Sequence, residues 1–387
     1  MRTYAYGFPR IGNKREFKTN IEAYWKDKIS EKELVGSMSD LEKQRLDEYK
    51  KHVDVFPMGE FSYYDNILDT ALVFGVYKAE NMDNYFSYGR GKKALEMKKY
   101  FNTNYHYLVP VIKKGQKFRL AWNKFLAYYD NFDGKDKPVG IIGPYTFLKL
   151  SRVEGNFRQT FGDLCKVYEK LFLKLKSKGI KTIHLEDPAF CLDVPEKDVK
   201  DIVKNYKAMI PEEMAVNLVT YYDSVDFLED VYKIPFAAIG LDFVAGEENI
   251  SNLKKCGFPA EKKLICGVVD GRDVRRSDIK AKVDLIGRIK KAGGIKSENI
   301  LISNSAPLFH LPISIEFEKD IKPAYRNIFS FARERLYELN LIKKTFSGKT
   351  KEAGIWSKAV VGKGTRKTNR IFDTHSLPER SYQNRRK

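Results

Sequence analysis

The sequence repeats one pattern along most of its length: a short run of β-branched, aromatic and other apolar residues, followed by a stretch with helical spacing. Phe161, Leu164 and Tyr168 show the helical spacing, and Gly179 follows as a C-terminal cap. Alternation of strands and helices predicts an α/β fold, and eight such units predict a (β/α)8 TIM barrel. The eight predicted strands are residues 4–8, 53–58, 139–142, 182–185, 216–221, 237–241, 264–269 and 300–302.

The first two connections between predicted strands are longer than a barrel requires, so we expect insertions after the first two strands. Within the second insertion, residues 105–112 (YHYLVPVI) predict a hairpin or a cover outside the barrel. A helix over 324–341 closes the barrel. We therefore predict a barrel domain over residues 1–345 and a linker-like arm over 346–387.

The net charge of +19 suggests that the partner could be a nucleic acid, but the charge is unevenly distributed. From residue 343 onward there are thirteen basic and three acidic residues, so this segment alone carries +10. The rest of the chain has an ordinary charge for its size, and the arm lacks a basic and aromatic platform. Nucleic-acid binding through the arm is therefore a minor alternative.

The sequence has no apolar signal segment and no run of apolar residues long enough to span a membrane, so we expect a cytoplasmic protein. The four cysteines make no C-x-x-C pair and predict buried free thiols. The five histidines are scattered, and His106 lies among polar and aromatic residues where it could contact a ligand or serve structure.

Acidic residues follow several predicted strands, at the end of the barrel where active sites lie. Such carboxylates could share protons or hold a cation, or they could simply cap helices and pair with Arg272. The residues concerned are Glu60, Glu186, Asp187, Asp223, Asp242 and Asp270.

Basic residues at two places could bind an acidic ligand. Lys14, Arg15 and Lys18 lie at the start of the first predicted helix, where free backbone N–H groups also favour anions. Lys98 and Lys99 precede Tyr100. By spacing alone, a solvated surface is the preferred interpretation of both places.

Several longer runs resemble the N-terminal half of the cobalamin-independent methionine synthase family, in the same order and over residues 3–345. They are GFPRIG at 7–12, REFK at 15–18, FPMGEFSYYD at 56–65, EMKKYFNTNYHY at 96–107, GPYT at 143–146, EDPA at 186–189 and GRDV at 271–274. The resemblance implies two facing barrels and methyl transfer from 5-methyltetrahydrofolate polyglutamate to homocysteine, whose thiol a zinc ion activates. It also implies that the folate's glutamate tail is held by Arg15, Glu16, Phe17, Lys18 and Lys99.

The same resemblance places the family's zinc ligands, two cysteines, a histidine and a glutamate, in the C-terminal barrel. Matching the strands of the two barrels puts Leu218, Thr220, Asp242 and Ala306 at those positions, and only Asp242 could bind a metal. We therefore expect no catalytic residue, catalytic zinc or cofactor in this chain, and no activity without a zinc-bearing barrel in cis or in trans. The alternative is a stand-alone module that binds folate polyglutamates or regulates without catalysis.

Overall fold

A curled sheet of seven parallel strands forms the centre of the computed structural model, which describes residues 1–122, 124, 136–349, 352, 354 and 356. Its strands are β1 Arg2–Tyr4, β5 Val139–Ile142, β7 Thr182–Glu186, β8 Ala215–Val219, β9 Ala238–Asp242, β10 Lys263–Val269 and β11 Ile300–Asn304. Their order across the sheet is β1, β11, β10, β9, β8, β7, β5.

The segment 53–58 lies between the two edge strands of this sheet. The Val55 amide donates to the Thr3 carbonyl at 3.1 Å, and the Met58 amide donates to the Pro138 carbonyl at 2.8 Å. Single parallel bridges join Val55 to Tyr4 and Met58 to Val139. The predicted second strand is thus present as two single bridges instead of a continuous strand.

The remaining strands are short and form two small sheets. β2 (Met97–Lys99) pairs antiparallel with β3 (His106–Leu108), so that Lys99 lies opposite His106. β4 (Val111–Ile112) pairs in parallel with β6 (Arg152–Val153). The run over 105–112 therefore lies outside the main sheet, as predicted, and its first part forms a hairpin.

Helices cover the sheet, and several begin at residues that cap free backbone N–H groups. Ser30 and Glu33 form a capping box, and Asp65 accepts hydrogen bonds from the amides of Ile67 and Leu68. The α-helices are Glu16–Tyr24, Glu31–His52, Asn66–Val73, Met82–Ser87, Pro144–Lys149, Phe157–Lys176, Glu196–Met209, Leu228–Tyr232, Glu248–Cys256, Ile279–Gly293, Pro323–Arg326 and Ala332–Phe346. Short 3-10 turns lie at Gly91–Lys93, Pro188–Cys191, Ser297–Asn299, Leu308–His310 and Ile315–Phe317.

The prediction of a single helix over 324–341 is wrong, because the residues between Arg326 and Ala332 are not helical. Here the Ser330 amide donates to the Val274 carbonyl, and the Arg276 amide donates to the Ile328 carbonyl. This antiparallel contact satisfies backbone groups of both segments, which a continuous helix would not allow.

The sulfur atoms of all four cysteines are free, with Cys165 and Cys266 buried and Cys191 and Cys256 less deeply placed. Among the described residues, no helix is both long enough and apolar enough to cross a membrane.

Part of the predicted arm lies against the helices and loops that surround the curled sheet. The Arg276 guanidinium is 3.8 Å from the centroid of the Trp356 ring, and the indole N–H donates to a carboxylate oxygen of Glu338 at 3.4 Å. Residues 357–387, which complete the predicted arm, lie outside the described residues. The boundary at 345 stays a prediction.

Candidate functional site

A cavity of about 270 Å³ opens beside the carboxyl ends of the parallel strands. Its wall combines aromatic rings with two arginines and two glutamates, so it can contact both apolar and charged parts of a ligand. Glu186, the last residue of β7, and Glu60, which follows the segment 53–58, both line it. Other lining residues are Gly7, Phe8, Pro9, Arg10, Phe17, Arg45, Phe61, Asn66, Tyr100, Tyr105, Tyr221 and Phe309.

Gly7 brings the first loop of the chain against this cavity. Its φ is +72°, a backbone conformation that residues with a side chain rarely adopt. A Cβ atom there would also lie 2.5 Å from the Cβ of Pro307, which is too close, so only glycine fits. The Gly7 amide donates to Glu60 Oε1 at 2.9 Å. The loop is therefore fixed to the carboxylate that lines the cavity.

Arg45 is a fully enclosed cation beside the cavity. Its guanidinium donates two hydrogen bonds to Glu42, at 2.5 and 2.7 Å, and one to Glu60 Oε2 at 2.6 Å. Burial raises the pKa of Glu42, and the paired guanidinium opposes that shift. This charge cluster holds Glu60 in place.

A chain of hydroxyl groups leads from the cavity wall to the other glutamate. The Tyr221 hydroxyl donates to Glu186 Oε2 at 2.7 Å, and the Tyr100 hydroxyl lies 3.0 Å from that of Tyr221. Burial raises the pKa of both phenols, so they stay protonated and able to donate at neutral pH.

Two aromatic residues that contact each other, Phe101 and Tyr222, have left-handed backbones. Phe101 has a φ of 50° and Tyr222 a φ of 84°, and their ring centroids are 5.6 Å apart. The Tyr222 hydroxyl lies 2.7 Å from His310 Nε2, and burial together with the charge of Arg272 lowers the pKa of His310 to about 4. Such strained positions cost about 1–3 kcal/mol each and are characteristic of functional surfaces.

The basic segment predicted to bind a polyanion begins the helix Glu16–Tyr24. Phe17 lines the cavity and makes an edge contact with Phe61, at a centroid distance of 5.9 Å. Glu16 accepts a hydrogen bond from the Lys14 amide at 2.7 Å. Arg15 and Lys18 are exposed, and Lys18 lies 3.6 Å from the carboxylate of Glu22.

Lys99 is exposed at the end of β2 and directly precedes Tyr100, which lines the cavity. His106 lies opposite it and is exposed as well. The structure therefore places Phe17 in the cavity wall. Lys18 and Lys99 are next in sequence to the wall residues Phe17 and Tyr100. Arg15, Glu16, Lys18 and Lys99 do not themselves line the cavity.

The acidic residues after the strands divide into two groups. Glu60 and Glu186 face the cavity. Asp187, Asp223, Asp242 and Asp270 instead accept hydrogen bonds from nearby backbone amides, as capping predicts. Burial raises the pKa of Asp242 to about 6, although three amides donate to its carboxylate.

Sequence patterns did not reveal Arg45, Tyr100 or Tyr221 as parts of the site. For Arg45 a signal exists, because Glu42 and Arg45 fall on the same helical face as Leu41 and Leu46 and are buried with them. Charged residues are rarely buried within an apolar stripe unless they form an ion pair with each other. The two tyrosines carry no comparable signal.

Comparison with known proteins places this chain in a family. Residues 2–294 match the family model described as the N-terminal domain of cobalamin-independent synthase. A 5-methyltetrahydropteroyltriglutamate–homocysteine methyltransferase of Thermotoga maritima is 40% identical over 367 residues, covering 90% of this chain and 48% of that protein. Its counterpart in Bacillus cytotoxicus is 36% identical over the same shares. The chain thus spans about half the length of these relatives.

A solved structure, that of a B12-independent methionine synthase from Shewanella sp. W3-18-1 in complex with selenomethionine, has the same fold. The TM-score is 0.60 at 14% identity, and the match covers 86% of this chain and 92% of that chain. From the extent of the family match and the level of identity to the curated relatives, this chain belongs to the cobalamin-independent methionine synthase family and corresponds to its N-terminal domain.

Proposed function

We propose that this chain provides the N-terminal half of a methionine synthase and holds the glutamate tail of 5-methyltetrahydrofolate polyglutamate. The methyl group would pass to homocysteine on a C-terminal barrel, in cis or in trans. That barrel would carry the thiol-activating zinc, and this chain would contribute neither catalytic zinc nor catalytic activity alone. The family match and the names of the relatives support this role.

One observation carries the assignment of the tail site: two basic segments that are distant in sequence each contribute a residue to one cavity. Phe17 and Tyr100 both line it, and Lys18 and Lys99 are the exposed residues next to them in the sequence. We infer from this adjacency that both lysines can reach a ligand tail that leaves the cavity. Both ammonium groups are exposed, and the surface pair of Lys18 with Glu22 is weak enough to exchange for a ligand carboxylate. Arg15 and the N-terminus of the helix that starts at Glu16 add positive potential.

We also propose that the segment 53–58 completes a closed eight-stranded barrel with insertions, and that this domain extends over 1–345. Hydrogen bonds from Val55 and Met58 to both edges of the sheet support the closure.

Charge reversal tests the tail site. Lys18→Glu and Lys99→Glu should each weaken binding of triglutamate folate by about tenfold or more, because each places a repelling charge beside the tail. The monoglutamate should lose no more than about twofold. Lys174→Glu, at an exposed position on the helix Phe157–Lys176, is the matched control. Equal losses for both ligands would place the tail elsewhere.

Methionine formation tests the wider role. The chain should be inactive alone with zinc, homocysteine and triglutamate folate, and active when mixed with a separately prepared C-terminal barrel. Activity of the chain alone would contradict the assignment of zinc to the other half. Intact folate binding with no activity in the mixture would instead support a stand-alone binding module.

A further inference from the structure

His184 lies inside the sheet with no exposed surface, on the same face of β7 as Glu186. Its Nδ1 atom is 2.8 Å from the Tyr4 hydroxyl. Its Nε2 atom is buried and has no hydrogen-bond partner among the described residues. Leaving a buried polar nitrogen unpaired is unfavourable, so a partner for Nε2 is expected.

A carboxylate oxygen of Glu186 lies near His184 Nε2 but does not form a hydrogen bond with it. This oxygen, Oε1, lies 3.6 Å from His184 Nε2, which is too long for a hydrogen bond, while Oε2 is already occupied by Tyr221. With metal–ligand bonds of about 2.0–2.2 Å, two ligands at near-tetrahedral angles are separated by roughly 3.3–3.6 Å. The gap therefore has the width that a single zinc-sized cation fills.

Glu60 completes a set of three potential ligands. One atom each from Glu60, His184 and Glu186 can be chosen so that all lie within 4.8 Å of one another. The Glu60 carboxylate already accepts hydrogen bonds from Arg45, Tyr49 and the Gly7 amide. Since a carboxylate offers about four acceptor positions, it can still bind a metal, and these donors would orient it.

Charge balance favours a cation at this place. The buried cluster contains the carboxylates of Glu42, Glu60 and Glu186 and one guanidinium, that of Arg45. Ionised, these groups carry two more negative than positive charges, and the guanidinium of Arg10, in the wall of the same cavity, offsets one of them. A divalent cation between Glu60, His184 and Glu186 would compensate the negative charge that remains.

The cluster also has an entry path. Glu60 and Glu186 both line the cavity of about 270 Å³, so a cation can reach them from its open side. Three protein ligands with one side facing a cavity would leave a fourth position for water or a bound ligand.

From these observations we propose that Glu60, His184 and Glu186 form a site for a divalent transition metal of the zinc type, with its open coordination position facing the aromatic cavity. The Nδ1–H of His184 would donate to the Tyr4 oxygen, which leaves the Nε2 lone pair for the metal.

This site is separate from the thiol-activating zinc proposed for the C-terminal barrel, because it contains no cysteine. It departs from the expectation that this chain holds no metal, which was drawn from the positions that match the family's zinc ligands. It does not depend on the proposed function, since folate binding and metal binding are measured independently. Either proposal can fail without the other.

Calorimetric titration of the metal-free chain, without an affinity tag, tests the site. Zinc should bind with one equivalent at high affinity, and magnesium should bind far more weakly, because magnesium disfavours a histidine ligand. His184→Gln and Glu186→Gln should each weaken zinc binding by about 100-fold or more. X-ray absorption of the zinc complex should show nitrogen and oxygen ligands without sulfur.

His310→Gln is the matched control, because His310 is also a largely enclosed histidine that contacts a tyrosine hydroxyl, that of Tyr222. It should leave zinc affinity unchanged. If the His184 variant fails to fold, Tyr4→Phe tests the same site with a smaller change. It removes only the hydroxyl that orients His184, and it should weaken zinc binding by about tenfold. Absence of a one-equivalent site in the unmodified chain, sulfur ligation, or equal losses in the His184 and His310 variants would overturn the proposal.

Discussion

Arg335 shows what a buried charge contributes at the scale of one residue. Its side chain has no exposed surface and donates to Glu338 at 2.6 Å, to the Ser277 hydroxyl at 2.8 Å, and to the carbonyls of Asp273 and Arg275. The guanidinium thus fixes the helix Ala332–Phe346 to the loop that follows β10. Removing one member of such a pair leaves the other charge buried and unpaired.

We predict that Arg335→Met lowers the free energy of unfolding by about 3–5 kcal/mol, because Glu338 keeps its buried position but loses its cation. Denaturation in urea, followed by circular dichroism, measures this loss. Arg288→Met, at an exposed position on the helix Ile279–Gly293, should change stability by less than about 0.5 kcal/mol. A loss for Arg335→Met no larger than that of the control would show that the buried pair contributes no net stability.

Residues such as Arg335, Arg45 and His184 also mark where prediction from sequence reaches its limit. Their types and helical or strand positions are visible, but their partners are far away in the chain: Tyr4 and His184 are 180 positions apart. Pairing over such a separation depends on the curvature of the sheet and on loop geometry. The basic residues at 15–18 and 99 could be proposed as a site because they lie within contiguous runs that resemble a family, and that proposal stays a prediction.

At the scale of elements, strands were predicted correctly where the spacing of apolar residues and the content of β-branched residues both indicate a strand. β5 has the predicted bounds, and β7, β8, β9, β10 and β11 lie within two residues of theirs. β1 is displaced towards the N-terminus, to Arg2–Tyr4. Residues 53–58 have strand-like composition but form isolated bridges, since pairing depends on the neighbouring edges as well as on the segment itself.

The helix Pro144–Lys149 depends on a carboxylate from another element. Asp187, just after β7, accepts a hydrogen bond from the Thr146 amide at 2.7 Å and another from the Tyr206 hydroxyl. Burial raises the pKa of Asp187 to about 7 despite these donors. The folded state therefore binds a proton at this carboxyl between pH 4 and 7 that the unfolded chain has released.

This proton linkage has a definite sign. Because the pKa is raised on folding, the carboxyl's favourable contribution is complete below about pH 4 and is lost as the pH rises to about 7. In Asp187→Asn the Oδ1 atom can still accept from the Thr146 amide, and the Nδ2 group can donate to the Tyr206 oxygen in place of the present bond. We predict that this variant removes up to about 1.4 kcal/mol per pH unit of that decline. Urea denaturation between pH 4 and 8 measures it. The exposed control Asp226→Asn should leave the slope unchanged, and an unchanged slope in Asp187→Asn would contradict the shifted pKa.

At the scale of the whole molecule, the chain combines a barrel-like body with a segment that returns to it. Trp356 lies against Arg276 and Tyr337, with its ring centroid 4.9 Å from that of the tyrosine, and it donates to Glu338. Glu338 also accepts from Arg335, so the tryptophan adds to the cluster that anchors the helix Ala332–Phe346. The body should therefore fold without the arm but gain some stability from its first part.

We predict that a chain ending at Trp356 unfolds with the same free energy as the full chain, within about 0.5 kcal/mol. A chain ending at Lys349 should still unfold cooperatively but lose about 1–2 kcal/mol, because it lacks the cation–π contact and the hydrogen bond. Trp356→Ala in the full chain should reproduce that loss, which separates the effect of the side chain from that of truncation. Urea denaturation of the four proteins makes the comparison. If the chain ending at Lys349 were unfolded, the body would extend beyond residue 345 and the arm would be part of the domain.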